Sequence, residues 1–164
     1  MDVVVRKIEV EDAPSFWEAL ASVARERKYL LRTEPPPFER TEAFVRSSVE
    51  KNHAHYLAVQ GQTVVGEASI IPLSRPTMTH VGVLGMFVVA DYRGRGIGGQ
   101  LLNRVTEHAW NSGLKRLELE VYADNAPAIR LYEKHGYVQE GLKRYARLLD
   151  EQYQDLIVMA QYRI

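Results

Sequence analysis

Between Phe87 and Leu102 the chain reads FVVADYRGRGIGGQLL: an apolar run, then four glycines in six positions (Gly94, Gly96, Gly98 and Gly99), then an apolar-periodic segment. One glycine suffices for most strand-to-helix turns, so four suggest a helix start that another molecule approaches closely. Glycines there let backbone N–H groups point outward, where the helix dipole places roughly half a positive charge and a pyrophosphate can be held without a metal. Arg93 and Arg95 add charge to such a cradle. The plain alternative is a turn whose glycines only permit positive φ.

The surrounding pattern alternates strand and helix. Val3 to Glu9 reads as a strand and Asp12 to Lys28 as a helix, with Asp12 as its cap and Phe16, Trp17, Leu20 and Val23 at helical spacing. LLRTEPPPF follows, whose three prolines exclude helix interior, and Glu39 to Asn52 then forms a second helix. His55 to Gln60 and Thr63 to Ile71 are β-rich and separated by Gly61-Gln62, a link of hairpin length, which makes them antiparallel. The strand Gly82 to Ala90, the helix Gly96 to Ser112 and the strand Lys115 to Tyr122 form a βαβ unit. Asn125 and Pro127 open another helix that ends at Gly136, and Tyr137 to Arg147 and Gln154 to Tyr162 read as a final pair of strands.

At 164 residues, with no linker, repeat or low-complexity tract, one domain over 1–164 is expected. Basic and acidic side chains balance at 21 each, so no broad electrostatic footprint for nucleic acid or an anionic membrane is expected, and any anion site is local. The absence of cysteine removes thiolate nucleophiles, disulfides and cysteine-ligated zinc; no metal site is expected. MDVVVRKIEV reads as neither signal peptide nor membrane span, and a cytoplasmic protein is the expectation.

Among phosphate loops, Walker A needs Lys-Ser/Thr after its last glycine, whereas Gly99 is followed by Gln100-Leu101. Gly94, Gly96 and Gly99 do spell the dinucleotide fingerprint GxGxxG, with Glu120 about 20 residues on. Against it, Asp91-Tyr92-Arg93 separates the first glycine from the strand, the acid lies inside LELEVY, and too little βα pattern follows for a doubly wound sheet.

Arg93-Gly94-Arg95-Gly96-Ile97-Gly98 resembles the R/Q-x-x-G-x-G/A signature of the GNAT superfamily of N-acetyltransferases. Asn125 to Tyr137, NAPAIRLYEKHGY, resembles the superfamily's N-x-x-A-x-x-L-Y-x-K-x-G-F/Y segment. The resemblance implies an α/β fold with a mixed, mostly antiparallel twisted sheet, a parallel βαβ pair at the cofactor site and about four helices. It further implies an acetyl-CoA-dependent acyltransferase whose strand Met86, Phe87, Val88 and Val89 meets the pantetheine arm. The N–H groups from Arg93 to Gly98, with Gly99 beside them, would then hold the pyrophosphate. On the second segment Asn125, Ala128 and Arg130 fall at cofactor-contacting positions, and Tyr132 matches the tyrosine near the thioester sulfur. A nearby hydroxyl suits a departing thiolate, so Tyr132 is also the general-acid candidate.

An amine acceptor must lose a proton. A lysine-like amine of pKa ~10.4 is only about 0.1% neutral near pH 7.4, whereas a peptide α-amine at ~7.7–8.0 is roughly a quarter neutral. Glu67 is the leading base candidate, because it interrupts VVGEASII on what reads as the face of Val65, Ser69 and Ile71; a solvated edge carboxylate is the alternative. His80 and Glu120 come behind it. The run Gly141 to Ala160 resembles members acting on free amino acids, other small amines and protein N-termini. A small-molecule amine acceptor is therefore expected, with a homodimer left open. Glu34, Phe38 and Glu39 are candidates to touch the acceptor. A protein N-terminal acetyltransferase, a CoA-binding module without catalysis and an NAD-binding protein are the alternatives.

Overall fold

The computed structural model describes residues 1–164. Strand β1 (Val3–Lys7) leads through a 3-10 turn into helix α1 (Ala13–Arg25), and α2 (Phe38–Glu50) follows the proline-rich connector. β2 (Ala54–Gln60), β3 (Thr63–Pro72) and β4 (Val81–Val88) come next, then α3 (Ile97–Asn111), β5 (Arg116–Tyr122), α4 (Ala126–Lys134), β6 (Val138–Leu149) and β7 (Gln152–Tyr162). The seven strands form one sheet in the order β1-β2-β3-β4-β5-β7-β6. Every neighbouring pair is antiparallel except β4 and β5, the two strands of the βαβ unit. No helix is long and apolar enough to cross a membrane.

Each face of the sheet carries its own core. α3 places Ile97, Leu101, Leu102, Val105 and Ala109 against Ala58, Ala68 and Ile70 on one face. On the other, Phe16, Ala19 and Val23 of α1 and Val45 of α2 pack on Leu57, Val64 and Phe87. The apolar stripes expected from helical spacing therefore point where periodicity demands.

Two local devices were not expected. Asp12 does not cap α1; its carboxylate accepts the Glu9 N–H at 2.8 Å and a bidentate pair of bonds from Arg6, both 2.8 Å, tying β1 to the turn before α1. Burial alone would raise the Asp12 carboxyl, but Arg6 and the Glu9 N–H outweigh it and hold it below its ordinary value. A depressed folded-state pKa contributes stability that is present above the unfolded value, ~3.9, and lost as pH falls through the folded one. Asp12→Asn is accordingly expected to cost about 1–2 kcal/mol at pH 7 by urea unfolding, the gap to wild type closing as pH falls below the unfolded value and through the lower folded one.

The second device is a β-bulge. Ala58 pairs with Gly66 but Val59 with Val64, leaving Val65 as the extra residue. Val65 turns to the α3 side and Val64 to the α1 side, so Glu67 shares its face with Val64 and Ser69 rather than with Val65. The period-2 reading slipped by one residue at the bulge.

Candidate active site

β4 and β5 are paired only at their beginnings, Val81 with Arg116, Gly82 with Leu117 and Val83 with Glu118. Beyond Val83 they part, so the β5-facing backbone groups between Leu84 and Val88 have no strand partner, although β3 still pairs the other edge. Met86 and Val88 turn half-buried toward the α3-side core; Phe87 points the other way and stacks on Phe16 at 6.2 Å. The Val89 N–H is taken by the Val65 carbonyl.

The glycine segment closes the same end of the fork. The Arg93 N–H bonds back to Ala90, but the six consecutive N–H groups from Gly94 to Gly99 find no acceptor in the chain; the first helical bond here runs from Gln100 to Gly96. Gly94 (φ 72°) and Gly96 (φ 78°) are left-handed, and a Cβ at either would meet nothing within 4 Å. Gly98 differs: its Cβ direction is filled by Leu131 at 3.3 Å and Met86 at 3.6 Å, and Gly99 faces the His135 ring. The cradle is thus open at its lip and lined by β4 and α4 at its base.

The two arginines divide. Arg95 is exposed, its guanidinium 5.3 Å from the Tyr92 ring, and adds positive charge at the lip. Arg93 is committed elsewhere: Nε donates to the Val88 carbonyl at 2.8 Å, both terminal nitrogens bind Glu26 at 2.8 and 2.6 Å, and the group lies 4.4 Å over Tyr29. Its side chain is a strut between the cradle and the end of α1, not a phosphate ligand. Arg93→Ala should therefore lower the melting temperature, by about 1–2 kcal/mol of stability, with little change in acetyl-CoA KM, whereas Arg95→Ala should raise that KM a few-fold and leave melting unchanged. A spectrophotometric KM and a thermal melt on each variant separate the two roles.

α4 begins where expected. The Asn125 side chain caps it, accepting the Ala128 N–H at 3.3 Å, and Pro127 lies in its first turn. Ala128 packs on the core and Arg130 is exposed. Leu131 touches the base of the cradle, and the next residue, Tyr132, packs into the α3-side core. Tyr132 is buried edge-on against Tyr137 at 5.9 Å, and its hydroxyl has no acceptor within the protein. Burial, helped by Tyr137, pushes the Tyr132 phenol well above its ordinary value, and burial pushes that of Tyr137 up to about 12. Tyr132 is therefore a neutral phenol through the physiological range.

Glu67 is not a solvated edge carboxylate. It is 5% exposed, with Oε1 3.1 Å from Nε2 of the fully buried His55 on β2. The approach is off the line of a well-directed hydrogen bond, so the contact is chiefly one of proximity. His55 Nδ1 lies 3.0 Å from the Ser48 hydroxyl, and Phe16 and Phe44 flank the ring. Sequence reading missed His55; its signal was a histidine opposite Ser69 on a strand otherwise apolar. Across β4, Gly85 pairs with Ser69 and leaves open space on the same face, diagonal to Glu67 and toward β5.

The other candidates fall differently. His80 precedes β4 at the closed end of the fork, away from the cradle. Glu120 lies on the α1 side of β5 and is ion-paired with Lys143. Glu34 pairs with Arg25 at 3.0 Å, Phe38 packs edge-on against Trp17, and Glu39 lies in the first turn of α2. Of these, Glu120 shares the sheet face of Glu67, and Phe38 packs on the core of that same face.

These features define a class: a mixed-sheet protein whose one parallel pair is forked, with a helix start of free N–H groups at the open end and a neutral buried phenol on the helix that follows β5. The Acetyltransferase (GNAT) family model matches residues 17–137, and the chain belongs to that family. It is 35% identical over 101 residues to the L-amino acid N-acetyltransferase AaaT of Escherichia coli K12, covering 61% of this chain and 62% of that protein. It is 38% identical over 93 residues to the N-alpha-acetyltransferase RimI of Mycobacterium tuberculosis, 56% of this chain and 57% of that one. The matches thus span less than two thirds of the length of either relative. A GNAT-family acetyltransferase from Streptococcus pneumoniae superposes with a TM-score of 0.92 at 27% identity, over 99% of this chain and 100% of that one.

Proposed function

We propose that this chain transfers an acetyl group from acetyl-CoA to the primary amine of a small molecule, an amino acid or related amine, by direct attack on the thioester. The observation that carries the reading is the run of six unpartnered N–H groups from Gly94 to Gly99 at the open end of the fork. Such a run fits a pyrophosphate, and the unpaired edge of β4 fits the amide groups of a pantetheine arm. Acetyl-CoA supplies an activated acyl carbon and a thiolate leaving group. The similarity to AaaT favours a free amino acid as acceptor, and that to RimI keeps a protein N-terminus as the second reading.

In the step itself the amine nitrogen forms a bond to the acyl carbon and the carbon–sulfur bond breaks. Tyr132, neutral because buried, gives its proton to the departing sulfur. Glu67 takes the proton from the attacking amine, directly or through water over Gly85, with the buried His55 ring lying beside its carboxylate. Thiol release from acetyl-CoA, measured against amino acids, polyamines, aminoglycosides and peptides with free N-termini, tests this. Turnover with amino acids is expected. Turnover with peptides alone would favour the second reading, and tight CoA binding without thiol release would leave a binding module.

A further inference from the structure

The wall beyond β5 holds a buried cation that makes no salt bridge. Arg147, on β6, is 9% exposed; Nη1 donates to Gln154 Oε1 at 3.2 Å, the guanidinium lies 4.9 Å over the Tyr122 ring, and Nη2 is buried with no hydrogen-bond acceptor. Three carboxylates of the neighbouring strands and turn are engaged elsewhere, while Asp124, which acts on the same Tyr122 phenol, is exposed to solvent and makes no ion pair. Glu120 pairs with Lys143, Asp150 with Arg27 at 2.7 Å, and Asp155 accepts the Tyr145 N–H at 2.9 Å. A guanidinium stays charged at any working pH, and an uncompensated buried charge is costly, so a site that retains one is built for an incoming anion.

Register places that anion on the acceptor side. Lys143 pairs with Leu156 and Arg147 with Gln154, so three β6 residues, Arg144 to Ala146, bulge out opposite Asp155 alone, with Tyr145 left-handed at φ 53°. The two extra residues preserve parity and return Arg147 to the face of Lys143. Leu156 in turn pairs with Tyr122 and Val158 with Glu120, which puts Arg147 on the β5 face opposite Leu117, Leu119 and Val121, behind the fork and at its open end. The connector between α1 and α2 covers this end through two exchangeable ties, the Tyr122 hydroxyl to the Leu30 carbonyl at 3.2 Å and the exposed Arg27–Asp150 pair.

We infer that Arg147 binds the carboxylate of the acceptor, so that the enzyme selects amines bearing a carboxylate, as free amino acids do, over the same amines without one. Guanidinium and carboxylate match as planar forks, with Nη2 the free donor and Tyr122 and Gln154 holding the plane. The inference rests on the acetyl-transfer reading and adds to it a specificity determinant that lies outside both the glycine segment and the Asn125 to Tyr137 segment.

The test compares each amino acid with its own α-carboxamide, the side chain unchanged. For wild type, kcat/KM is expected to favour the acid by about a hundredfold or more, although the amide's amine deprotonates more readily. In Arg147→Gln the acid's KM should rise until the two acceptors differ by less than about threefold, with acetyl-CoA KM unchanged, and Arg147→Lys should restore part of the preference. Equal use of acid and amide by wild type, which needs no variant, overturns the inference while leaving acetyl transfer intact. So does an Arg147→Gln protein of wild-type melting temperature that loses both acceptors equally. If no amine releases thiol, the acetyl-transfer reading fails instead, and calorimetric titration of free amino acids into the CoA-saturated protein decides Arg147: affinity lost in Arg147→Gln upholds the carboxylate site, and no binding to wild type rejects it.

Discussion

Phenylalanine in place of Tyr132 is expected to lower kcat about ten- to a hundredfold while acetyl-CoA affinity and the melting temperature stay near wild type. The ring, buried edge-on against Tyr137, keeps its volume and packing, and no internal hydrogen bond is lost, because the hydroxyl has no acceptor in the chain. What disappears is a proton that burial holds on the phenol well above its ordinary titration range, in reach of a leaving thiolate. General acids contribute 10²–10⁴-fold, and a thiolate needs less help than most leaving groups, hence the smaller figure. Because the folded-state pKa is raised, the wild-type rate should show no alkaline loss assignable to Tyr132 below about pH 10. Rapid quench under single turnover checks that the chemical step has slowed. A variant with wild-type chemistry would make Tyr132 a packing residue.

Glutamate at Gly98 is expected to weaken CoA binding by about a hundredfold or more, and glutamine there by much less. Either side chain places its Cβ 3.3 Å from Leu131, which must give by a few tenths of an ångström, and in ordinary contact with Met86 at 3.6 Å, so both carry about the same steric cost. Only glutamate brings a negative charge among the free N–H groups at the start of α3, where a phosphate is to lie. The pair isolates charge from volume, which glutamate alone does not. Calorimetry with CoA reads the difference, and equal dissociation constants for the two variants would remove the phosphate from the cradle.

The order of elements and nearly all their limits were legible because helix and strand periods differ and Gly, Pro and Asn punctuate them. The glycine segment and the Asn125 to Tyr137 segment were legible for a second reason: a cradle and a capped helix are local, so their residues lie together in sequence. Features set by strand register were not. The Val65 bulge, the His55 contact to Glu67 and the return of Arg147 to the inner face depend on register, which alternating hydrophobicity reports only up to the first inserted residue. Arg93 shows the converse. Its place in the glycine segment suggested a phosphate ligand, yet Glu26, 67 positions earlier, and Tyr29 take its side chain.

The most direct test follows the acetyl carbon itself. With acetyl-CoA labelled in its carbonyl carbon and an amino acid acceptor, the account predicts that label appears as an amide on the acceptor nitrogen, one free CoA thiol formed for each, and that Tyr132→Phe slows both together. Label recovered as free acetate would mean thioester hydrolysis, and label remaining on CoA that is nevertheless bound would mean a binding protein; either result contradicts the acetyl-transfer account.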